Sequence, residues 1–140
     1  MVKLRYLLDT NAISEPLQLM PNVAFLRRFR THGQRLAIAV TTWHEALYGM
    51  HRLPAGRRRN QVRDYLFDVI AANLPILPYD TAAAQWHARE RARLGAKGRT
   101  APFADGQIAA VAKVHELTVV TANVTDFEIY DDLAVENWLQ

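Results

Sequence analysis

Short apolar runs separated by stretches of helical periodicity organise this chain. Leu4 to Leu8, Leu36 to Val40, Ile76 to Tyr79, Leu117 to Val120 and Leu133 to Glu136 read as five strands, several of them apolar on both faces as buried parallel strands are. Between them the spacing predicts helices. One starts at Ser14-Glu15-Pro16, with a serine cap and proline in its first turn, and Asn22 to His32 continues helically until Gly33. The next opens at Thr42 and runs to about Leu53, before Pro54. Another spans about Arg57 to Asn73, with Val62, Leu66, Val69 and Ile70 facing the core. Asp80 caps a helix over Ala82 to Leu94 that Gly95 stops, and Pro102 opens one reaching about His115. The alternation of strand and helix predicts an α/β fold with a mostly parallel five-stranded sheet, and Pro75 and Pro78 place the third strand at its edge. No linker or repeat interrupts the 140 residues, so one domain over 1–140 is expected.

Composition narrows the chemistry. The chain has no cysteine, which excludes disulfides, thiolate metal sites and a cysteine nucleophile, and leaves oxygen or imidazole to hold any metal. The apolar stretches are far shorter than the ~18–20 residues of a membrane span, so a cytoplasmic protein is expected. Net charge is only +3, but residues 27–63 carry nine arginines (27, 28, 30, 35, 52, 57, 58, 59 and 63) against Glu45 alone, whereas residues 105–140 carry seven acids against Lys113. Arginine's planar fork suits phosphate, so the basic segment favours a nucleic-acid partner, with Arg57, Arg58 and Arg59 as candidates to hold its backbone. The alternative is a solvated helix face.

Four acids fall where a parallel α/β sheet places its ligands, outside the carboxyl ends of the strands. Asp9 follows the first strand, Glu45 lies soon after the second, Asp105 opens the helix feeding the fourth, and Asp126 lies in the loop after it. Four carboxylates in one crevice repel one another unless a cation neutralises them, and an all-oxygen site suits Mg²⁺ or Mn²⁺. Such ions suit phosphodiester hydrolysis by a metal-activated water. Each acid also has a structural alternative. Thr42-x-x-Glu45 matches a capping box, Asp9 can simply end a strand, Asp126 can cap a turn, and Asp105 can answer the dipole of its helix. His32, His51, His87 and His115 lack metal-ligand spacing and read as surface or packing residues, and His44 is given no role. There is no phosphate-loop signature, and the one serine, Ser14, has no nucleophile-elbow context.

Leu7-Leu8-Asp9-Thr10-Asn11, Glu45, Asp105-Gly106-Gln107-Ile108-Ala109-Ala110 and Thr121-Ala122-Asn123-Val124-Thr125-Asp126-Phe127, in this order, resemble the PIN-domain ribonucleases. Asp9-Thr10-Asn11-Ala12-Ile13-Ser14-Glu15-Pro16 is most similar to the VapC toxin group, including its FitB-like branch. The resemblance covers essentially the whole chain. It implies a three-layer α/β/α fold with sheet order 3-2-1-4-5, Mg²⁺- or Mn²⁺-dependent endoribonuclease activity, a homodimer and a cognate antitoxin protein. It also implies that Asp9, Glu45, Asp105 and Asp126 form the catalytic and metal-binding set, with Asn11, Thr121 and Asn123 as polar supports. A catalytically silent PIN-like module that binds RNA or protein, and a different metal-dependent phosphohydrolase such as a DNA nuclease, stand as alternatives.

Overall fold

The computed structural model describes residues 2–139; the outer ends of the expected domain, at 1 and 140, lie outside them. Five strands form the sheet: β1 (Tyr6–Leu8), β2 (Leu36–Ala39), β3 (Ile76–Leu77), β4 (Thr118–Val120) and β5 (Val135–Glu136). Their order is β3-β2-β1-β4-β5, as expected, and every pairing is parallel. Tyr6 stands beside both Leu36 and Thr118 in the register. The chain leaves β1 toward β2 on one side and reaches β4 on the other, so the topological switch point lies between β1 and β4.

Successive side chains of each strand go to opposite faces, and both faces are covered. Leu7, Ala37, Ala39 and Val119 pack with residues of α5 (Thr81–Ala96) and α6 (Phe103–Val114) such as Ala83, Leu94, Ile108 and Val111. Tyr6, Leu8, Leu36, Ile38 and Val120 pack on the other face with Ile13, Phe25, Leu66 and Ile70. These come from α1 (Thr10–Ser14), α2 (Val23–Thr31) and the helical stretch before β3. Leu7, Leu8, Ile38 and Ile108 have no exposed surface, and burial of each contributes about 1.5–3 kcal/mol. This two-sided burial explains why the strands read as continuous apolar runs. No helix of the described residues is long and apolar enough to cross a membrane.

The strands are shorter than the apolar runs that announce them, with Val40 joining the helix after β2. The helices differ from the sequence reading in four places, each with a local cause. The first helix starts at Thr10, because the Asp9 carboxylate already accepts the Thr10 N–H; Ser14 caps nothing and donates its hydroxyl to the Thr10 carbonyl at 2.8 Å. Pro16 falls in a short 3-10 turn, Glu15–Leu17. Helix α3 (Val40–Arg52) begins two residues before Thr42, so the Thr42-x-x-Glu45 capping box does not form. Thr42 is fully buried and its Oγ1 has no hydrogen-bond partner among the described residues. The long helix from Arg57 is α4 (Arg57–Asp64) followed by a π-helical stretch, Tyr65–Ala71. Its wider turn keeps Leu66 and Ile70 in the core and turns Val69 out, where it is 39% exposed. Finally, α5 continues through Gly95 to Ala96, and the reversal comes at Gly98, whose φ of +70° suits glycine.

Candidate active site

Asp9 is the best-held acid of the molecule's rim. Its backbone N–H continues the β1–β4 ladder to the Val120 carbonyl at 2.9 Å. Its Oδ1 caps α1 through the Thr10 N–H at 2.8 Å, and its Oδ2 accepts the Thr121 hydroxyl at 3.0 Å and the Asn11 amide at 3.2 Å. The network closes on itself: Asn11 also donates to Thr121 Oγ1 at 3.3 Å, and its Oδ1 accepts the Ala122 N–H at 2.9 Å. Asn11 and Thr121 thereby link the ends of β1 and β4 beside the Asp9 carboxylate. Asn123 joins only through its backbone N–H, which donates to Thr121 Oγ1 at 3.0 Å; its side chain is exposed and makes no hydrogen bond among the described residues. Burial raises the Asp9 carboxyl above its ordinary value, against the pull of these hydrogen bonds and with a further push from the charge of Glu45.

Glu45, in α3, is aimed by a residue to which the sequence reading gave no role. Thr10 donates its hydroxyl to Glu45 Oε1 at 2.7 Å. One residue at the start of a short helix thus positions two different acids: the Thr10 backbone N–H holds Asp9 and its side chain holds Glu45. On the far side of the switch point, Asp105 stands in the first turn of α6 and Asp126 in α7 (Val124–Phe127). No hydrogen bond reaches either side chain among the described residues. Burial, and then the charges of Asp9, Asp126 and Glu45, push the Asp105 carboxyl up to about 6. Asp105 thus feels the charge of the other three acids.

The placement of Asp105 depends on its neighbours. Gln107 accepts the Thr41 hydroxyl at 3.1 Å, tying the start of α6 to the start of α3. Gly106 lies against the His87 imidazole so closely that a Cβ there would overlap the ring. His87 is buried, its Nδ1 is 2.8 Å from the Tyr79 hydroxyl, and burial followed by the Arg91 charge lowers its pKa. The packing role read for His87 holds, and it explains the glycine after Asp105. No periodicity could have found this pair, because it is a contact between two helices.

The donor set fits a hard divalent cation: carboxylate oxygens, uncompensated charge, and no cation paired with any of the four acids among the described residues. No three acidic or histidine side chains of the described residues are gathered around one point as a ready-made cage. A bound ion would be held by one or two carboxylates, with water and substrate oxygens in its remaining positions, as Mg²⁺ usually is. A hollow of about 810 Å³ lies around His32, Arg35 and Tyr65, and none of the four acids lines it. The basic triplet is partly committed elsewhere: Arg58 donates to the Leu17 carbonyl at 2.9 Å and Arg59 meets His51 Nδ1 at 3.2 Å, leaving Arg57 without such a bond among the described residues.

The chain matches known proteins along nearly its whole length. The PIN domain family model matches residues 6–133. The chain is 31% identical to the tRNA(fMet)-specific endonuclease VapC of Salmonella typhimurium, over 96% of this chain and 98% of that one. It superposes on FitAcB from Neisseria gonorrhoeae with a TM-score of 0.87 and 34% identity, covering 95% and 97% of the two chains. It also superposes on a member of the VapBC family of toxin-antitoxin systems from Mycobacterium tuberculosis, with a TM-score of 0.69, 31% identity and 95% and 96% coverage.

Proposed function

Since the chain belongs to the PIN domain family, we propose that it is a metal-dependent endoribonuclease and the toxin of a toxin-antitoxin pair. Its catalytic and metal-binding acids in this reading are Asp9, Glu45, Asp105 and Asp126. The observation that carries it is Asp105, a partly buried carboxyl without a donor that feels three other acids. Mg²⁺ or Mn²⁺ held there would neutralise the rim, supply a water of lowered pKa and offset charge on the phosphodiester.

The chain's own residues prepare that site. Three donors fix the Asp9 carboxylate in one orientation, so it meets an incoming ion without reorganising. Thr10 aims Glu45 in the same way. Asp105 and Asp126 present oxygens that no donor among the described residues occupies, which leaves them for the ion or its waters. Asn11 and Thr121 orient Asp9 from behind, and Asn123 contributes its backbone N–H to that support.

The partners in this reading are an RNA substrate, a cognate antitoxin and a second copy of the chain, in the cytoplasm. The antitoxin restrains the enzyme by placing an arginine or lysine among the four acids, where it pairs with carboxylates in place of the metal. The test is incubation of the purified, antitoxin-free protein with total RNA and with single-stranded DNA, in Mg²⁺, Mn²⁺ or EDTA, beside Asp9→Asn. RNA cleavage that needs the metal and is lost in the variant is the expected result. Binding without cleavage would replace the reading with a silent module, and preferential DNA cleavage with a DNA nuclease.

A further inference from the structure

A second basic segment, distinct from residues 27–63, lies on α5 and the turn beyond it. Arg89, Arg91, Arg93, Lys97 and Arg99 stand there against one acid, Glu90. Glu90 is engaged by Arg93, at 2.8 and 2.9 Å, and by the Asp131 N–H at 2.7 Å, and it forms no ion pair with Arg91 or Arg99 among the described residues. Arg91 and Arg99 are exposed, and neither enters an ion pair or a side-chain hydrogen bond among the described residues. Arg91 is nevertheless held in place: its guanidinium lies over the Phe103 ring at 5.0 Å, and Phe103 packs on His87 at 4.8 Å.

These side chains surround a hollow of about 210 Å³ between the end of α5 and the start of α6, lined by Arg91, Arg99, Thr100, His87 and Tyr130. The hollow and the acid rim flank the start of α6. Phe103, which carries Arg91, and Asp105 stand two apart in its first turn and so point to opposite sides of the helix, Phe103 toward α5 and Asp105 toward the other acids. Tyr130, which forms part of the wall, is close enough to Asp105 for that charge to help raise its phenol, after burial. A strongly acidic crevice and an unpaired arginine pair thus stand side by side without neutralising each other.

That juxtaposition has a use if the substrate is a polyanion. Four carboxylates repel an approaching phosphate backbone, and the bound cation offsets that repulsion only at the scissile group. A flanking phosphate needs its own cationic hold. Guanidinium groups supply it in a fixed fork, and single-stranded nucleic acids are commonly tracked by such basic grooves. We propose that the hollow between α5 and α6 binds a backbone phosphate of single-stranded RNA next to the phosphodiester at the acid rim, through Arg91 and Arg99, with the Thr100 hydroxyl as a further donor. The inference rests on the ribonuclease reading and assigns its substrate path. The position beside Asp105 favours RNA over an acidic segment of a protein partner.

The test uses the full chain carrying Arg91→Gln and Arg99→Gln together. In an Asp9→Asn background, chosen to prevent cleavage, binding of a single-stranded RNA oligonucleotide is measured across a range of KCl concentrations. The slope of log K against log[salt] should flatten by about 0.7 for each phosphate that the protein no longer neutralises. In the cleaving background KM should rise roughly tenfold, with a smaller fall in kcat. Replacing both residues by Lys should restore most of the slope and only part of KM, because lysine keeps the charge and loses the fork. An unchanged slope and KM would overturn the proposal, as would weakened antitoxin binding with RNA binding intact, which would assign the hollow to the partner. If the unaltered protein neither binds nor cleaves RNA, the ribonuclease reading itself falls and the subsite falls with it.

Discussion

Two acids on neighbouring helices, Glu90 of α5 and Asp105 of α6, meet opposite fates. Glu90 is buried, receives both arms of the Arg93 guanidinium and the Asp131 N–H, and is held below its ordinary pKa, chiefly by the Arg93 hydrogen bonds. Arg93 is itself anchored to the Ile129 carbonyl at 2.9 Å. Asp105 receives no such help, and burial with three like charges pushes it up to about 6. This fold can satisfy a buried carboxylate with a cation and a backbone donor, and it does so one helix away. The unsatisfied charge at the rim is therefore a property of the site, sustained at the expense of stability, and its natural counterpart is a group that comes from outside.

The sharpest way to break that contrast is to remove each charge in turn. Asp105→Asn should lower metal-dependent RNA cleavage by at least about 10²-fold, since even residues that only orient metal ligands cost 10–100-fold. In EDTA the same variant should melt higher than wild type, by about 2 °C or more, because it relieves repulsion with Asp9, Glu45 and Asp126. A lower Tm would mean that Asp105 is a structural acid after all. Glu90→Gln should do the reverse: cleavage at low temperature stays within a few-fold of wild type, while unfolding in urea loses about 1.5–3 kcal/mol.

The pH dependence of that second loss has a definite sign. The Glu90 carboxyl lies below its ordinary value of 4.5 in the folded protein. Its contribution is therefore complete above about pH 4.5 and is lost as pH falls through the lower, folded value. The stability gap between wild type and Glu90→Gln should be widest near neutrality and close in acid. A gap that stayed constant down to about pH 3 would show that packing, and not the ionised pair, stabilises this corner.

The layout of the sheet was readable because each strand is buried on both sides and so appears as an apolar run, and because parallel strands put their connections, and hence Asp9, Glu45, Asp105 and Asp126, at one end. What escaped is of a different physical kind. Asp9 doubles as a helix cap, so the helix starts five residues before the proline signal at Glu15-Pro16. A π-turn is a register change that 3.6-residue periodicity cannot express, and Val69 leaves the core because of it. Thr10 and Glu45 are 35 residues apart, and nothing local announces their hydrogen bond. The same holds for His87 against Gly106. The basic segment on α5 is inconspicuous for another reason: residues 27–63 carry more arginines, whereas those around the hollow beside α6 are fewer and are brought there by the packing of α5 on α6.

The smallest predicted effect concerns the supports behind Asp9, where the site's prebuilt half can be separated from its unsatisfied half. Thr121 is 1% exposed and its hydroxyl does three things: it donates to Asp9 Oδ2 and accepts from the Asn11 amide and the Asn123 N–H. Thr121→Val keeps the shape and removes all three. Asp9 would keep its charge and two of its donors, so the metal would still bind, with the carboxylate less firmly oriented. Cleavage should fall by roughly tenfold, below the loss expected for Asp105→Asn, and stability by about 1–2 kcal/mol for the Asn123 N–H left without an acceptor and the Asn11 amide left with Asp9 alone. Asn123→Ala should change stability by no more than about 0.5 kcal/mol, because only its backbone reaches the network. Metal titration of the three proteins by calorimetry, beside RNA cleavage rates, checks the ranking. Full activity in Thr121→Val would mean that Asp9 is oriented by its helix cap alone, and that the preorganised half of the site reduces to the Thr10 N–H.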